Sequence, residues 1–270
     1  MSIFESYAGQ RVWITGASSG IGAGLARAFG REGATVILSG RDRAALAAVA
    51  ADVPENVILP FDVTDLEALP AIVHHAGQVD MLINNAGISQ RGLCEDTVMD
   101  VYRTIMEVDF FAPVALTKLV LPAMLDRGSG HVAVTASVAG KVGSPQRTGY
   151  CAAKHAVMGF FDSLRTEVAW RGVQVTTIVP GYVRTEIGAR ALTADGSAKG
   201  GGRDDVDAGI TADEAAAIIL AGFKSGLREI PVGGNGPEMA LLDLKRETPD
   251  ALFDLTGQMG QAVVKRFKSR

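Results

Sequence analysis

Short apolar runs alternate with longer segments of helical periodicity along most of the 270-residue chain. Each run is rich in β-branched residues and is bounded by glycine, proline or polar residues, which is typical of buried strands. Strands are therefore predicted at residues 11–15, 35–38, 57–60, 81–84, 131–135 and 174–179. Because strands and helices alternate from residue 11 onward without a linker or repeat, the pattern predicts an α/β fold with parallel strands and right-handed crossovers.

The first predicted strand leads directly into a glycine-rich turn and then a helix. Gly16, Gly20 and Gly22 permit a tight turn, and a helix that begins near Gly20 directs its unpaired N–H groups into that turn. Ser18 and Ser19 can cap the helix or contact phosphate oxygens. This arrangement predicts a pyrophosphate site. The G-x-x-x-G-x-G spacing differs from the G-x-G-x-x-G fingerprint, so a purely structural loop is the alternative.

The end of the second strand bears on the identity of the nucleotide. In dinucleotide-binding folds an acidic residue here binds the ribose 2′-OH, whereas a basic one accommodates a 2′-phosphate. Gly40 occupies this position, and Arg41 and Arg43 follow it. Since a guanidinium forks onto phosphate, the sequence predicts NADP(H) and makes NAD(H) the less favoured cofactor. In the alternative, both arginines are only solvated at a helix start, where a cation without an anion is unfavourable.

Two side chains with the chemistry of proton transfer, Tyr150 and Lys154, lie four residues apart. The segment continues with helical spacing, so both side chains project from one helix face. A nearby ammonium favours the phenolate and brings a Tyr side chain, whose ordinary pKa is about 10, closer to neutral pH. Ser137 follows the fifth predicted strand, from where it can bind a substrate oxygen opposite Tyr150. Taken alone, the Tyr–Lys spacing is also that of an incidental surface pair.

Composition and charge exclude several classes of function. A net charge of -4 without a basic face argues against nucleic-acid binding. Cys94 and Cys151 lie far apart without a C-x-x-C motif, which indicates free thiols in a reducing compartment, and no metal site is predicted. The N-terminus lacks an apolar segment of signal-peptide length, and no later window of about 18 residues is expected to span a membrane. We expect a cytoplasmic protein.

Four ordered motifs resemble those of the short-chain dehydrogenase/reductase family: TGASSGIG at 15–22, NNAG at 84–87, Ser137 with Tyr150 and Lys154, and PGYVRT at 180–185. The resemblance covers residues 8–235 or so. It implies one Rossmann-like domain over residues 1–235, with a doubly wound parallel sheet of about seven strands and helices on both faces. It also implies a nicotinamide cofactor and hydride transfer to or from a small-molecule carbonyl or secondary alcohol.

The same resemblance assigns roles to individual residues. Tyr150 is the acid/base, Lys154 lowers the pKa of Tyr150 and holds the nicotinamide ribose, and Ser137 binds the substrate oxygen. The predicted cofactor-binding residues are Gly16, Ser18, Ser19, Gly20, Ile21, Gly22, Arg41, Asp62, Val63, Asn84, Ala86, Gly87, Tyr150, Lys154, Pro180, Gly181, Val183 and Thr185. A homodimer or homotetramer is expected by analogy with the family.

One position departs from the family pattern. The family usually carries Asn in the helix after NNAG, where this chain has Asp109. If ionised near Lys154, Asp109 strengthens the ammonium and weakens its electrostatic effect on Tyr150. We therefore count Asp109 among the catalytic candidates and expect an active enzyme with an altered pH dependence.

Two segments accompany the motifs. Residues 186–210 are rich in Gly, Ala and Asp and predict a substrate lid, with a surface loop as the alternative. Within this lid, RALTADGSAKG resembles a subgroup of mostly membrane-associated reductases, whose N-terminal anchor this chain is expected to lack. Residues 236–270 predict a helical extension that packs on its own domain or on a partner subunit. The alternatives are closure of an apolar pocket and peripheral membrane contact, which the intervening acidic residues disfavour.

Two classes of function stay open. The favoured one is an NADP(H)-dependent oxidoreductase, because Ser137, Tyr150 and Lys154 are all present. The other is an NADP(H)-binding sensor or scaffold with little or no turnover, which only Asp109 favours.

Overall fold

The computed structural model describes residues 6–202, 204–234 and 236–268, with Phe267 described by its backbone only. Residues 1–5 and 235 of the predicted domain, residue 203 of the predicted lid and residues 269–270 of the predicted extension lie outside the described residues.

A seven-stranded sheet with the strand order β3-β2-β1-β4-β5-β6-β7 runs through the described chain. Every neighbouring pair of strands is parallel. The strands are β1 Arg11–Thr15, β2 Thr35–Ser39, β3 Asn56–Ile58, β4 Met81–Asn84, β5 Gly130–Thr135, β6 Val173–Pro180 and β7 Glu229–Val232. The parallel α/β fold predicted from the sequence is confirmed. The structure adds β7 to the six strands whose positions were predicted.

Helices connect these strands and continue beyond them. They are α1 Gly20–Arg31, α2 Arg43–Ala50, α3 Leu69–Ala76, α4 Met99–Met106, α5 Ala112–Arg127, α6 Thr148–Val168, α7 Ala212–Lys224, α8 Pro237–Glu247 and α9 Pro249–Lys268.

The two faces of the sheet are both buried. Along β1, Val12 and Ile14 belong to one hydrophobic core, whereas Trp13 between them belongs to the other. This follows from the alternation of side chains along a strand. Phe29 of α1 packs in the first core and Phe161 of α6 in the second. Helices therefore cover both faces, which confirms the doubly wound arrangement.

The strand order reverses at β1, because the chain proceeds from β1 to β2 and β3 on one side and then returns to β4 on the other. In such sheets a crevice opens at the carboxyl ends of the strands next to the reversal. The carboxyl ends of β1, β4, β5 and β6 all meet at this edge. The predicted site motifs follow these same strands.

A continuous helical segment, Met99–Arg127, joins α4 to α5 through a π-helical stretch at Glu107–Phe111. Within the described ranges, this is the one segment with the length and apolar composition of a membrane span, with a mean hydropathy of 1.6. Every 18-residue window of this segment contains Asp109 or Lys118, so the expectation that no window of uncharged apolar residues spans a membrane stays a prediction. Leu116 is buried in the second core, and Val101 and Ile105 are buried in a smaller cluster. A core helix has the same length and composition, so these features alone do not establish a span.

The C-terminal helices α8 and α9 pack on the sheet domain. Leu252 is buried in the second core, and Met239 and Leu242 pack against that core. Lys268 forms an ion pair of 2.5 Å with Glu95. The apolar stripe of the extension thus packs on the chain's own domain through part of its length.

Gly22, in the first turn of α1, packs directly on the turn that precedes it. A Cβ at this position would overlap the Gly16 carbonyl oxygen and lie 2.6 Å from Asn85 Nδ2. Because the backbone cannot move aside, we expect Gly22→Ala to lower the free energy of unfolding by about 1–3 kcal/mol. Urea unfolding monitored by circular dichroism measures this change.

Gly257 of α9 offers the matched control, since nothing lies within 4 Å of a Cβ built there. Gly257→Ala is expected to be neutral or to stabilise the protein by up to about 1 kcal/mol through helix propensity. Equal losses of stability in the two variants would contradict the close packing at Gly22.

Candidate active site

A cavity of about 630 Å³ opens at the carboxyl edge of the sheet. The predicted site residues that line it are Gly16, Ser18, Ser19, Gly20, Ile21, Arg41, Asp62, Val63, Ala86, Gly87, Ser137, Tyr150, Lys154, Pro180, Gly181, Val183 and Thr185. Gly22, Asn84 and Asp109 are not among its lining residues. The structure therefore gathers most of the predicted site around one space and places three predicted residues behind it.

The glycine-rich turn presents the N-terminus of α1 to the cavity. Gly16 and Gly20 have φ angles of 67° and 54°, in the left-handed region that favours glycine. Ser19 precedes α1 in an extended conformation, and its side chain makes no capping hydrogen bond. The first turn of α1 contains no acidic residue. This helix end thus combines N–H groups with a free hydroxyl and no competing carboxylate, which suits a pyrophosphate.

The sequence predicted Asn84 as a cofactor-binding residue, but the asparagine that lines the cavity is Asn85. Asn84 is buried, and its Nδ2 donates a hydrogen bond of 3.0 Å to Thr117 Oγ1. Asn85 Nδ2 donates to the Thr15 carbonyl oxygen at 3.1 Å, and its Oδ1 accepts from Thr135 Oγ1 at 3.2 Å. Asn85 thereby ties the ends of β1, β4 and β5 together. The alternation of side chains at the end of β4 decides which asparagine faces the cavity.

Arg41 supplies a cation at the β2 end of the cavity. Its side chain is 79% exposed, and its guanidinium lies 3.9 Å from the Asp62 carboxylate. Partial burial opposes ionisation of Asp62, but hydrogen bonds from Thr64 and the charge of Arg41 hold the pKa of this carboxyl below its usual range. Asp42 is engaged elsewhere, because its carboxylate accepts from two backbone N–H groups and caps α2. Arg41 thus has room to bind an added anion.

Tyr150, Lys154 and Ser137 line the same part of the sheet edge. Tyr150 and Lys154 lie one turn apart in α6, with Lys154 Nζ 5.6 Å from the centroid of the Tyr150 ring. Ser137 follows β5, and its Oγ lies 3.4 Å from the Pro180 carbonyl oxygen. Gln90 Oε1 accepts from the backbone N–H of the residue before Tyr150 at 2.7 Å, which fixes the start of α6. A substrate oxygen in the cavity therefore has a phenol and a hydroxyl available to it.

Asp109 lies behind Lys154. Lys154 is buried, and its Nζ donates to the Thr135 carbonyl oxygen at 3.0 Å and lies 3.4 Å from Asp109 Oδ2. Asp109 Oδ1 accepts from the Ile88 N–H at 2.8 Å. Burial raises the pKa of the Asp109 carboxyl, and the charge of Lys154 and the Ile88 hydrogen bond oppose that rise. Asp109 thus contacts Lys154 and is not among the residues that line the cavity.

The predicted lid is attached to the rim of the cavity by ion pairs. Arg91 donates to both carboxylate oxygens of Asp204, at 2.9 and 2.7 Å, and the two side chains are only 9% and 6% exposed. Arg147 forms a second ion pair, of 2.9 Å, with Asp205. Burial opposes ionisation of Asp204, but hydrogen bonds and charge from Arg91 hold its pKa at about 2. Sequence reasoning missed Arg91, because its partner lies 113 residues away along the chain.

Helices α8 and α9 complete one wall of the cavity. Glu238, Leu241, Thr256 and Met259 line it, although none was among the predicted site residues. The available signal was the apolar stripe of the extension, which includes Met259. No group of three or more His, Cys, Asp or Glu side chains that could hold a metal ion occurs in the part of the chain that the structure describes.

Comparison with known proteins is consistent with this site. A family model described as short chain dehydrogenase matches residues 10–195. Dehydrogenase/reductase SDR family protein 7-like of Drosophila melanogaster is 43% identical over 225 residues, which cover 78% of this chain and 69% of the relative. Dehydrogenase/reductase SDR family member 7B of Xenopus laevis is 38% identical over 275 residues, which cover 96% and 83%.

Solved structures share the fold. A short chain dehydrogenase from Burkholderia cenocepacia J2315 in complex with NADP is 25% identical with a TM-score of 0.79, covering 93% of this chain and 98% of that one. A short chain dehydrogenase/reductase from Burkholderia phymatum in complex with NAD is 23% identical with a TM-score of 0.80, covering 92% and 96%, and shows the fold alone. Both nicotinamide cofactors thus occur on this fold. The chain belongs to the short-chain dehydrogenase/reductase family of oxidoreductases.

Proposed function

We propose that the protein is an NADP(H)-dependent oxidoreductase that transfers hydride between the nicotinamide and a small-molecule carbonyl or secondary alcohol. The observation that carries the proposal is the convergence of Ser137, Tyr150 and Lys154 on one cavity, beside a helix N-terminus suited to pyrophosphate. The cavity's volume of about 630 Å³ lies in the usual range of small-molecule and cofactor sites.

The residues that would hold the cofactor fit its chemistry. The turn at 16–22 would hold the pyrophosphate, Arg41 the 2′-phosphate, Lys154 the nicotinamide ribose, and the turn at 180–185 the nicotinamide end. In the direction of reduction, NADPH supplies the hydride. The protein supplies the proton and fixes the position of the substrate oxygen.

Proton transfer at the substrate oxygen is the task of Tyr150. Its phenol donates the proton during reduction and accepts it during oxidation. The buried ammonium of Lys154 favours the phenolate that remains after donation. Ser137 Oγ donates a hydrogen bond to the same substrate oxygen and so holds it near the phenol.

The preference for NADP(H) is supported by three features at the end of β2. Arg41 is exposed and free of a close bidentate partner. The neighbouring carboxylate of Asp42 is occupied as a helix cap. A Cβ at Gly40 would lie 3.5 Å from Ser18 Oγ, so the glycine leaves room beside Ser18 and adds no carboxylate. A 2′-phosphate would therefore meet a cation and a hydroxyl in this region.

A sensor or scaffold that binds NADP(H) with little turnover is the second candidate. The observation that favours it is the carboxylate of Asp109 beside Lys154. The enzyme is the stronger proposal, because Lys154 still lies next to Tyr150 and Ser137 lines the same cavity. A cytoplasmic location and a homodimer or homotetramer stay predictions from the sequence.

The role of Arg41 is tested by titrating the protein with NADPH and NADH and following cofactor fluorescence. We expect wild type to prefer NADPH. Arg41→Ala is expected to weaken NADPH binding by about ten- to hundredfold, because charge-assisted hydrogen bonds to the 2′-phosphate are lost. NADH lacks this phosphate, so its binding should change by less than about twofold.

Arg43 provides the matched control, since it is exposed at the start of α2 and does not line the cavity. Arg43→Ala should bind both cofactors as wild type does. Equal affinity of wild type and Arg41→Ala for NADPH would contradict the proposed cofactor site.

The role of Asp109 is tested by the pH dependence of kcat/KM for reduction of an activated ketone. Asp109→Asn replaces a buried carboxyl whose Oδ2 lies 3.4 Å from Lys154 Nζ. An ionised carboxylate there opposes the effect of the ammonium on the proton-transfer site, whereas an asparagine does not. We therefore expect the alkaline limb of the pH profile to move to lower pH.

Asp100→Asn makes the same chemical change in α4 at an exposed position, where the side chain of Asp100 forms an ion pair with Arg103 and with no other residue in the part of the chain that the structure describes. Its pH profile should match that of wild type. An Asp109→Asn profile that also coincides with wild type would show that the carboxylate does not influence Tyr150.

A further inference from the structure

The turn that follows β6 is held in place by later parts of the chain. Gly181 N–H donates to the Val232 carbonyl oxygen of β7 at 2.8 Å. The Tyr182 carbonyl oxygen accepts from Ile210 N–H at 3.1 Å, where the predicted lid ends. Both of these contacts join backbone to backbone. The turn at 180–185, which we assign to the nicotinamide end of the cofactor, is thus anchored by segments that lie beyond residue 195, where the family model ends.

The third anchor is a side chain. Glu238 Oε1, at the start of α8, accepts from the Tyr182 N–H at 3.0 Å. Glu238 is only 7% exposed, yet it also lines the cavity. Its second oxygen, Oε2, is buried and has no hydrogen-bond partner in the described structure. A buried carboxyl group is unfavourable unless its oxygens are hydrogen-bonded or paired with a charge, so the unpartnered Oε2 calls for an explanation.

Two glycines make room for this carboxylate. A Cβ at Gly181 would lie 2.6 Å from Glu238 Oε1, and a Cβ at Gly236 would lie 2.5 Å from both carboxylate oxygens. The carboxyl group of Glu238 therefore occupies space that is free only because residues 181 and 236 have no side chain. Any side chain at either glycine would displace Glu238 from the Tyr182 N–H.

We propose that Glu238 is a positioning residue of the active site, which sets the turn at 180–185 through the Tyr182 N–H and makes the C-terminal extension an integral part of the cofactor and substrate site. The inference rests on the proposed function, because the turn matters only if it holds the nicotinamide end. Tyr182 lines the cavity from this turn, and Leu241 and Met259 line it from the extension. The packing of α8 on the domain therefore positions both the turn at 180–185 and the wall of the cavity that the extension forms.

The test compares four variants of the full chain by NADPH titration, by kcat and KM for an activated ketone, and by thermal unfolding. Glu238→Ala removes the acceptor, and Gly236→Ala displaces it without changing a residue that lines the cavity. Glu238→Gln retains an acceptor oxygen for the Tyr182 N–H. Glu247→Ala is the control, because Glu247 is an exposed residue of the same helix and its one ion pair among the described residues is with Arg246.

We expect Glu238→Ala and Gly236→Ala to bind NADPH roughly tenfold or more weakly and to raise KM for the ketone. In both variants the turn at 180–185 loses the hydrogen bond from the Tyr182 N–H to a charged group, and the typical contribution of such a bond corresponds to about tenfold or more in affinity. Glu238→Gln should stay within about threefold of wild type, and Glu247→Ala should be unchanged. A merely structural role would lower the unfolding temperature of both alanine variants without changing the NADPH affinity of the folded protein. If Glu238→Ala does not fold, Gly236→Ala and Glu238→Gln carry the comparison.

The inference is overturned if wild type binds NADPH and the folded variants at 238 and 236 bind it equally well, or if Glu238→Gln is as defective as Glu238→Ala. Failure of wild type itself to bind NADPH would overturn the proposed function, and the inference with it.

Discussion

The buried ammonium of Lys154 is the interaction on which the arrangement of the site depends. It lies between the Thr135 carbonyl oxygen at the end of β5, the carboxylate of Asp109 and the ring of Tyr150. A buried ammonium is unfavourable unless charged or hydrogen-bonding partners surround it. The contacts of Lys154 therefore fix the relative positions of helix α6, strand β5 and the π-helical stretch after α4. These positions in turn determine where the Tyr150 phenol lies.

The sequence predicted the frame of the site well, because local patterns encode it. Buried parallel strands are short runs of β-branched residues, and the glycines of the first turn mark a close backbone approach. Strand β7 was not located from the sequence, because only its alternate residues, Ile230 and Val232, are buried and because it contains Pro231. Proline is tolerated there since β7 is an edge strand. An edge strand has a weaker apolar signal than a central one.

The parts that the sequence did not predict depend on contacts between distant segments. Asn84 and Asn85 are identical in chemistry, and only the direction of the chain at the end of β4 separates a buried residue from one that lines the cavity. Arg91 and Glu238 meet partners 113 and 56 residues away. Such partners follow from the assembled fold. The same fold brings the lid and the C-terminal helices to the cavity, so the outer half of the site is built from the chain beyond the shared family motifs.

In the proposed function, hydride passes from the nicotinamide of NADPH to the substrate in this cavity, while Tyr150 supplies the proton. The most direct measurement is a single turnover with NADPH deuterated at the transferable position of the nicotinamide, followed by mass spectrometry of the product from a panel of activated ketones. We expect wild type to place one deuterium on the former carbonyl carbon. Tyr150→Phe should still bind NADPH but transfer the label at least about a hundredfold more slowly. The proposed function is contradicted by wild type that binds NADPH and transfers no label, or by Tyr150→Phe that transfers it at the wild-type rate.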